Sequence, residues 1–118
     1  IPTGDLLPVS DIGITPNAAT ALGALSLDNC LTDLDRDSDG RAHTLLTYAD
    51  GTTTDIWQDA GLAYTQVFTK HDFPWAAGSA GAVGIEPQSA PANALNSGVS
   101  LTWLEPGSSF SVTWGVHV

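Results

Sequence analysis

The chain contains 118 residues, 42% of them hydrophobic, which is enough to build one small domain with its own core. The chain has thirteen acidic and three basic residues. The resulting net charge of −10 argues against nucleic acid and anionic lipid as partners but not against neutral sugars. No apolar run approaches the roughly 20 residues of a membrane-spanning helix, so we expect no membrane partner.

The start of the sequence and its one cysteine bear on cellular context. No secretory leader is visible, and a chain that opens on Ile1 is expected to be a piece of a longer polypeptide. Cys30 is the only cysteine and cannot form an internal disulfide, which is typical of the cytosol. We therefore expect a cytoplasmic protein in which Cys30 packs against its neighbours.

The first quarter of the chain shows no clean periodicity. Residues 1–9 are interrupted by two prolines and a glycine, which argues against a central strand. Further on, Thr15 and Pro16 favour a short helix, with Thr15 as its N-cap and Pro16 in its first turn.

A cluster of turn-forming residues occupies positions 35–41, with carboxylates at Asp35, Asp37 and Asp39. The spacing is similar to that of a calcium-binding loop, but such a loop needs a bidentate carboxylate at its twelfth position. Counted from Asp35, that position is Leu46, and the flanking segments have the composition of strands. We therefore predict a solvated hairpin loop and no metal site, with a calcium-stabilised β-domain as the alternative.

Six segments are rich in threonine, aromatic and aliphatic residues and are predicted to form strands. They are Ala42–Tyr48, Thr52–Gln58, Ala63–Thr69, Ala82–Glu86, Ser100–Leu104 and Ser109–Val118. The Asp50-Gly51 pair predicts a hairpin between the first two. Alternation in the third places Tyr64, Gln66 and Phe68 on one face of its strand.

The breaks between these segments complete the predicted architecture. Residues 70–81 are predicted to form a loop, and the missing N–H of Pro87 predicts that regular pairing stops there. The final segment alternates most clearly, with Trp114 and Val116 on its half-buried face. With almost no helix and no linker, the chain is predicted to be one all-β domain over residues 1–118, an antiparallel β-sandwich.

Several motifs together resemble one protein family. Glu86-Pro87-Gln88 and the polar loop 91–98 that follows, then 104–107 (LEPG) and Trp114-Gly115, resemble the C-terminal signature of aldose 1-epimerases, the galactose mutarotases. Segments 1–9 (IPTGDLLPV), 27–28 (LD) and 64–69 (YTQVFT) are similar to further segments of that family, in the same order. The resemblance covers nearly the whole chain and implies the C-terminal third, or slightly more, of a galactose mutarotase-like supersandwich.

This resemblance implies an isomerase that interconverts the α and β anomers of free hexoses of the glucose or galactose class. Glu86 would be the base that removes the C1 hydroxyl proton, and Asp28 and Gln66 would hold sugar hydroxyls. Trp75, in the predicted loop, is expected to line the site, whereas Trp103 and Trp114 are expected in the core. No metal and no organic cofactor are implied.

The acid of the catalytic pair is missing from this sequence. In the family it is a histidine from the preceding segment, and His43, His71 and His117 do not stand in its sequence context. We therefore expect the N-terminal remainder of the sandwich to be needed, and the isolated chain to have little activity. The residues alone leave two alternatives open: Asp28 as a turn cap, and the chain as a non-catalytic carbohydrate-binding β-sandwich module.

Overall fold

The computed structural model describes residues 5–75 and 78–118, and within them the side chains of all residues except 24, 75 and 78–80. Two 3₁₀ helices, Val9–Ile12 and Leu22–Ala24, precede the strands, and one helical turn, α1 (Ala94–Ser97), precedes the last strand. The strands are β1 (Asp28–Leu31), β2 (Ala42–Thr47), β3 (Thr53–Gln58), β4 (Tyr64–Trp75), β5 (Gly78–Gln88) and β6 (Trp114–His117). Within the described ranges, no helix has the length and apolarity that crossing a membrane requires.

The strands form two antiparallel three-stranded sheets, ordered β1-β4-β5 and β2-β3-β6. The all-β, antiparallel class expected from the sequence is therefore confirmed, while the sandwich and the single-domain extent stay predictions. The chain passes between the sheets twice in its central part, through residues 32–41 and again through residues 59–63.

The predicted hairpin between the first two strand segments is confirmed. Strands β2 and β3 are paired along their whole length, with Ala42 opposite Gln58 at one end and Thr47 opposite Thr53 at the other. At the turn, Gly51 has a φ of 88°, in the left-handed region that favours glycine, and its N–H donates to the Tyr48 carbonyl. The Asp50 carboxylate accepts from both the N–H and the hydroxyl of Thr52, which fixes the turn from within.

The predicted loop over residues 70–81 is wrong, because most of it belongs to long extensions of β4 and β5. In these strands Tyr64 lies opposite Gln88 at one end and Trp75 lies opposite Gly78 at the other. The register is irregular between Lys70 and Phe73. Pairing also continues through Pro87, opposite Thr65, where an interruption was expected. Strand β5 lies at the edge of its sheet, where a missing N–H can face away from the partner strand.

Two further predictions are wrong, namely the short helix after Pro16 and a last strand that begins at Ser109. Asn17 has a φ of 56°, which no helix continues through, so the short helix after Pro16 does not form. Strand β6 begins only at Trp114: the Thr113 carbonyl still accepts from the Asp59 N–H, but the Thr113 N–H donates to the Asp59 carboxylate and not to a backbone carbonyl.

The C-terminal segment is also less buried than its alternation suggests. Ser100–Leu104 is not a strand, since Ser100 has a φ of 52° and the segment pairs with no neighbour. Trp103 is 83% exposed and Trp114 is 56% exposed, so neither lies in the core. Val116 is 54% exposed, and the half-buried face expected of the last segment is therefore wrong.

The acidic segment 35–41 is a tight turn, but it joins two sheets and is not a hairpin between paired strands. The Asp37 carboxylate caps the turn, because its Oδ1 accepts from the N–H groups of Asp39 and Arg41, both at 2.9 Å. The Arg36 guanidinium then donates to the carbonyls of Gly40 and Leu62 at 3.0 and 2.9 Å. This fastens the turn to the connection between β3 and β4.

A buried amide holds the connection between the two sheets. Gln58, at the end of β3, is 1% exposed, and its Nε2 donates to the carbonyls of Leu62 and Tyr64 at 2.7 and 2.9 Å. Its Oε1 accepts from the hydroxyl of Thr65, also 1% exposed, at 2.7 Å. All of these buried polar groups are satisfied, so the chain can turn from one sheet into the other without a desolvation penalty.

A histidine links the acidic turn to the β2–β3 sheet. His43, on β2, lies between Asp55 on β3, at 2.9 Å from Nδ1, and Asp37 in the turn, at 3.1 Å from Nε2. The hydrogen bonds to Asp55 and then to Asp37 raise the pKa of His43 above its usual range. The pKa of Asp37 is lowered, first by the N–H of Arg41 and then by His43.

Replacing Gln58 by methionine should destabilise the fold at nearly constant side-chain volume. The Tyr64 carbonyl and the Thr65 hydroxyl would lose their buried partner, while the Leu62 carbonyl keeps Arg36. We expect the free energy of unfolding to fall by about 2–4 kcal/mol in urea titrations. The control is Thr47→Val on the exposed end of β2; equal effects of the two variants would contradict the role of Gln58.

The His43 link should make stability depend on pH in a defined window. A raised histidine pKa contributes stability that is complete below the ordinary value of 6.5 and is lost as pH rises through the raised value. The lowered pKa of Asp37 contributes stability that is present above the ordinary value of 3.8, and this stability is lost as pH falls through the lowered value. The difference in melting temperature between the native chain and His43→Gln should therefore peak between these values, and a difference that is constant across this range of pH would contradict the link.

Candidate functional site

Three residues that the resemblance selects lie on one face of the β1-β4-β5 sheet. Gln66 on β4 stands directly opposite Glu86 on β5. On the other side of β4, Gln66 stands opposite Cys30 on β1, and Asp28 lies two residues before Cys30. Because alternate residues of a strand point to the same side, Asp28, Gln66 and Glu86 share a face. The sheet thus brings together three positions that are up to 58 residues apart in sequence.

Asp28 and Gln66 are in direct contact, whereas Glu86 contacts Gln88. The Gln66 Nε2 donates to Oδ1 of Asp28 at 2.8 Å, and the Gln88 Nε2 lies 3.5 Å from Oε2 of Glu86. Asp28 and Glu86 are exposed, and Gln66 is half-buried between them. The result is a row of carboxylate, amide and carboxylate groups that can accept and donate hydrogen bonds to a polar ligand above the sheet.

The opposite face of the same strand anchors this row. Thr65, Val67 and Thr69 are all buried, with exposures of 1%, 8% and 8%. Thr69 also accepts from the Leu27 N–H through its hydroxyl, at 2.8 Å, which ties the start of β1 to β4. Asp28 follows directly, so the carboxylate stands on a strand and not at a free turn.

A glycine lies beside the row. Gly84 on β5 pairs with Phe68 on β4, and a Cβ at Gly84 would lie 3.6 Å from Oε1 of Glu86 and 3.9 Å from the Phe68 Cβ. Gly84 therefore lies next to both the Glu86 carboxylate and Phe68, and it adds no side chain of its own to this face. Phe68 shares the face of Gln66, as the alternation of the strand predicts, although no sequence motif gives it a role in the site.

The loop after β5 borders the site on its other side. The Tyr64 hydroxyl and the Ser100 hydroxyl lie 2.7 Å apart and connect this loop to β4. An open groove of about 530 Å³ runs along the loop, lined by Gln88, Ala90, Pro91, Ala92, Asn93, Ala94, Leu95, Asn96 and Leu101. The Cys30 Sγ lies 3.9 Å from Oε1 of Gln88, and burial raises the pKa of this thiol, so it stays protonated near neutral pH.

The tryptophans take little part in the described site. The backbone of Trp75 ends β4 opposite Gly78, but its side chain lies outside the described part of the structure, so its expected place in the site stays a prediction. Trp57 lies on the other sheet, under the Arg41 guanidinium, whose carbon is 4.4 Å from the ring centroid.

Each histidine lies away from the row. His43 is held between two aspartates on the β2-β3-β6 sheet, and His117 pairs opposite Asp55 on the same sheet. The His71 Nε2 donates to the Leu25 carbonyl at 2.8 Å, and the same carbonyl accepts from the hydroxyl of Thr69 on the buried side of β4.

Metal-binding side chains are not grouped in the described ranges. No set of three or more histidine, cysteine, aspartate or glutamate residues there is arranged to hold an ion. In the acidic turn, the Asp37 carboxylate already accepts from two backbone N–H groups and His43. The calcium alternative therefore finds no support in this part of the chain.

Comparisons with known proteins leave the family open. No protein-family model matches the chain, and no match was found among curated proteins or solved structures. The likeness to aldose 1-epimerases therefore rests on the sequence motifs alone, and the roles that it implies for Asp28, Gln66 and Glu86 are proposals.

The contact between Gln66 and Asp28 can be tested by introducing a negative charge at position 66. In Gln66→Glu, a second carboxylate would replace the amide that now donates to Asp28 at 2.8 Å, and like charges at that distance repel. We expect a lower melting temperature than for Gln66→Leu at pH 7, and recovery on acidification as one carboxylate becomes protonated. If both variants melt alike at every pH, the two side chains are not in contact.

Proposed function

We propose that this chain supplies the base and the hydroxyl-binding residues of an aldose 1-epimerase acting on free hexoses. Glu86 is the general base, and Asp28 and Gln66 orient sugar hydroxyls. The observation that carries the proposal is the convergence of these three residues, selected from sequence motifs, on one exposed face of adjacent strands.

The chemistry needs a base and an acid at opposite ends of one bond. The base removes the proton of the C1 hydroxyl, the bond between C1 and the ring oxygen breaks, and the acid protonates that oxygen. Rotation of the open aldehyde about the C1–C2 bond and reversal of the steps give the other anomer. An exposed Glu86 carboxylate, with one amide at 3.5 Å, has an oxygen available for a C1 hydroxyl. The reaction as proposed uses no metal and no organic cofactor.

The acid is proposed to come from outside this chain, as a histidine on the N-terminal remainder of a galactose mutarotase-like sandwich. The three histidines of this chain are engaged or placed elsewhere. The radius of gyration, 15.8 Å, also exceeds the about 13.5 Å expected of a compact chain of this length. The exposure of Trp103 and Trp114 is consistent with apolar surface that further strands would cover.

A non-catalytic carbohydrate-binding module is the second candidate. The same row of Asp28, Gln66 and Glu86 would then hold sugar hydroxyls without turnover. The absence of a histidine from the face that carries Glu86, among the described residues, favours this candidate if the longer polypeptide also lacks the acid.

Polarimetry of α-glucose and α-galactose tests the catalytic proposal. The 118-residue chain should barely accelerate mutarotation, while the polypeptide extended at its N-terminus should accelerate it strongly. In the extended polypeptide, Glu86→Gln should lower kcat/KM by about 10² to 10⁴-fold, because the base is lost while the shape is kept.

The chain contains a matched control for this substitution. Glu105 is the other of its two glutamates and is exposed beyond the site loop, so Glu105→Gln should leave the rate unchanged. An extended polypeptide that binds hexose without accelerating mutarotation would favour the binding module. Equal rates for Glu86→Gln and the unchanged protein would exclude Glu86 as the base.

A further inference from the structure

Phe68 is an exposed aromatic side chain on the face that carries the candidate site. We propose that the apolar face of a neutral hexopyranose packs on the Phe68 ring, with the edge of the sugar over Gly84, which carries no side chain. The inference rests on the proposed function in one respect, that the face carrying Glu86 is a sugar site. It adds the residue that positions the pyranose ring.

The position of Phe68 separates it from the other exposed apolar residues. It is 42% exposed although it lies on β4, the central strand of its sheet, with neighbours on both sides. Its partner on β1 is Asp28, and its partner on β5 is Gly84. Leu45, Trp114 and Val116 are more exposed and also lie on strands, but on β2 and β6 at the edges of the other sheet. Phe73 lies on β4 beyond the residues that pair with β1.

The neighbours of the ring are polar groups suited to hydroxyls. Gln66 is two residues before Phe68 on the same face, and its amide already contacts Asp28. The Glu86 Oε1 reaches to within 3.6 Å of the position that a Gly84 Cβ would occupy. An aromatic ring bordered by two carboxylates and an amide matches a pyranose, which presents C–H groups on its face and hydroxyls at its edge.

The charges on this face favour an uncharged sugar over a phosphorylated one. Lys70 is the next residue of β4 on the same side, and its ammonium is paired with the Asp72 carboxylate at 2.6 Å. Asp28 and Glu86 are both acidic, so a phosphate beside them would be repelled. The ligand class is therefore a neutral hexopyranose.

The role of Phe68 can be measured apart from turnover with methyl β-D-galactopyranoside. This glycoside has no free C1 hydroxyl and cannot mutarotate, so NMR titration reports binding alone. In both the 118-residue chain and the polypeptide extended at its N-terminus, Phe68→Ala should raise Kd about 10-fold. The Kd of Phe68→Tyr should stay within about 2-fold of that of the unchanged protein. Gly84→Val should weaken binding by placing a side chain where the edge of the sugar would lie, and amide spectra would verify that each variant is folded.

Phe110 provides a control of matched chemistry. It is 44% exposed and lies in the segment before β6, so Phe110→Ala should leave Kd unchanged. Unchanged binding in Phe68→Ala, equal loss in Phe110→Ala, or no binding of the glycoside by either polypeptide would overturn the inference. Binding that depends on Phe68, with a mutarotation rate indifferent to Glu86→Gln, would support the inference and remove the catalytic proposal alone.

Discussion

The buried amide of Gln58 is the constraint on which the arrangement of the two sheets depends. The chain leaves β3 in one sheet and enters β4 in the other within five residues, and the carbonyls of Leu62 and Tyr64 turn inward on the way. Buried carbonyls without partners are costly, and a single primary amide satisfies both while accepting from Thr65. Arg36 adds a second donor to Leu62, so the acidic turn is held to the same point.

The alternation of β4, which begins beside Gln58, decides which side chains the site contains. Thr65 is fixed inward by Gln58, and the period of two then turns Gln66 and Phe68 outward. The neighbouring strands follow the register, which places Asp28 on one side and Glu86 on the other. A slip of one residue would bury the polar row and expose the threonines and Val67, so the buried hydrogen bonds set the outward chemistry of the face.

The proposed site is half of a catalytic pair in a chain whose apolar surface is only partly covered. Among the described residues, the buried hydrophobic side chains are Leu27, Ala42, Ile56, Leu62, Val67 and Ala94. Both features have one explanation in the proposed function, since further strands of a sandwich would cover the exposed tryptophans and bring the acid. The high negative charge is compatible with this proposal because the proposed ligand is neutral.

The sequence by itself determined the all-β class, the β2–β3 hairpin and the shared face of Tyr64, Gln66 and Phe68, because turn chemistry and alternation are local signals. Its motifs also selected Asp28, Gln66 and Glu86, but not their proximity. Tertiary structure decided the long β4–β5 pairing, the passage through Pro87 and the short β6, since these depend on which strand lies alongside. It also decided the surroundings of Phe68, because only strand pairing places a distant glycine, Gly84, on one side of it and Asp28 on the other.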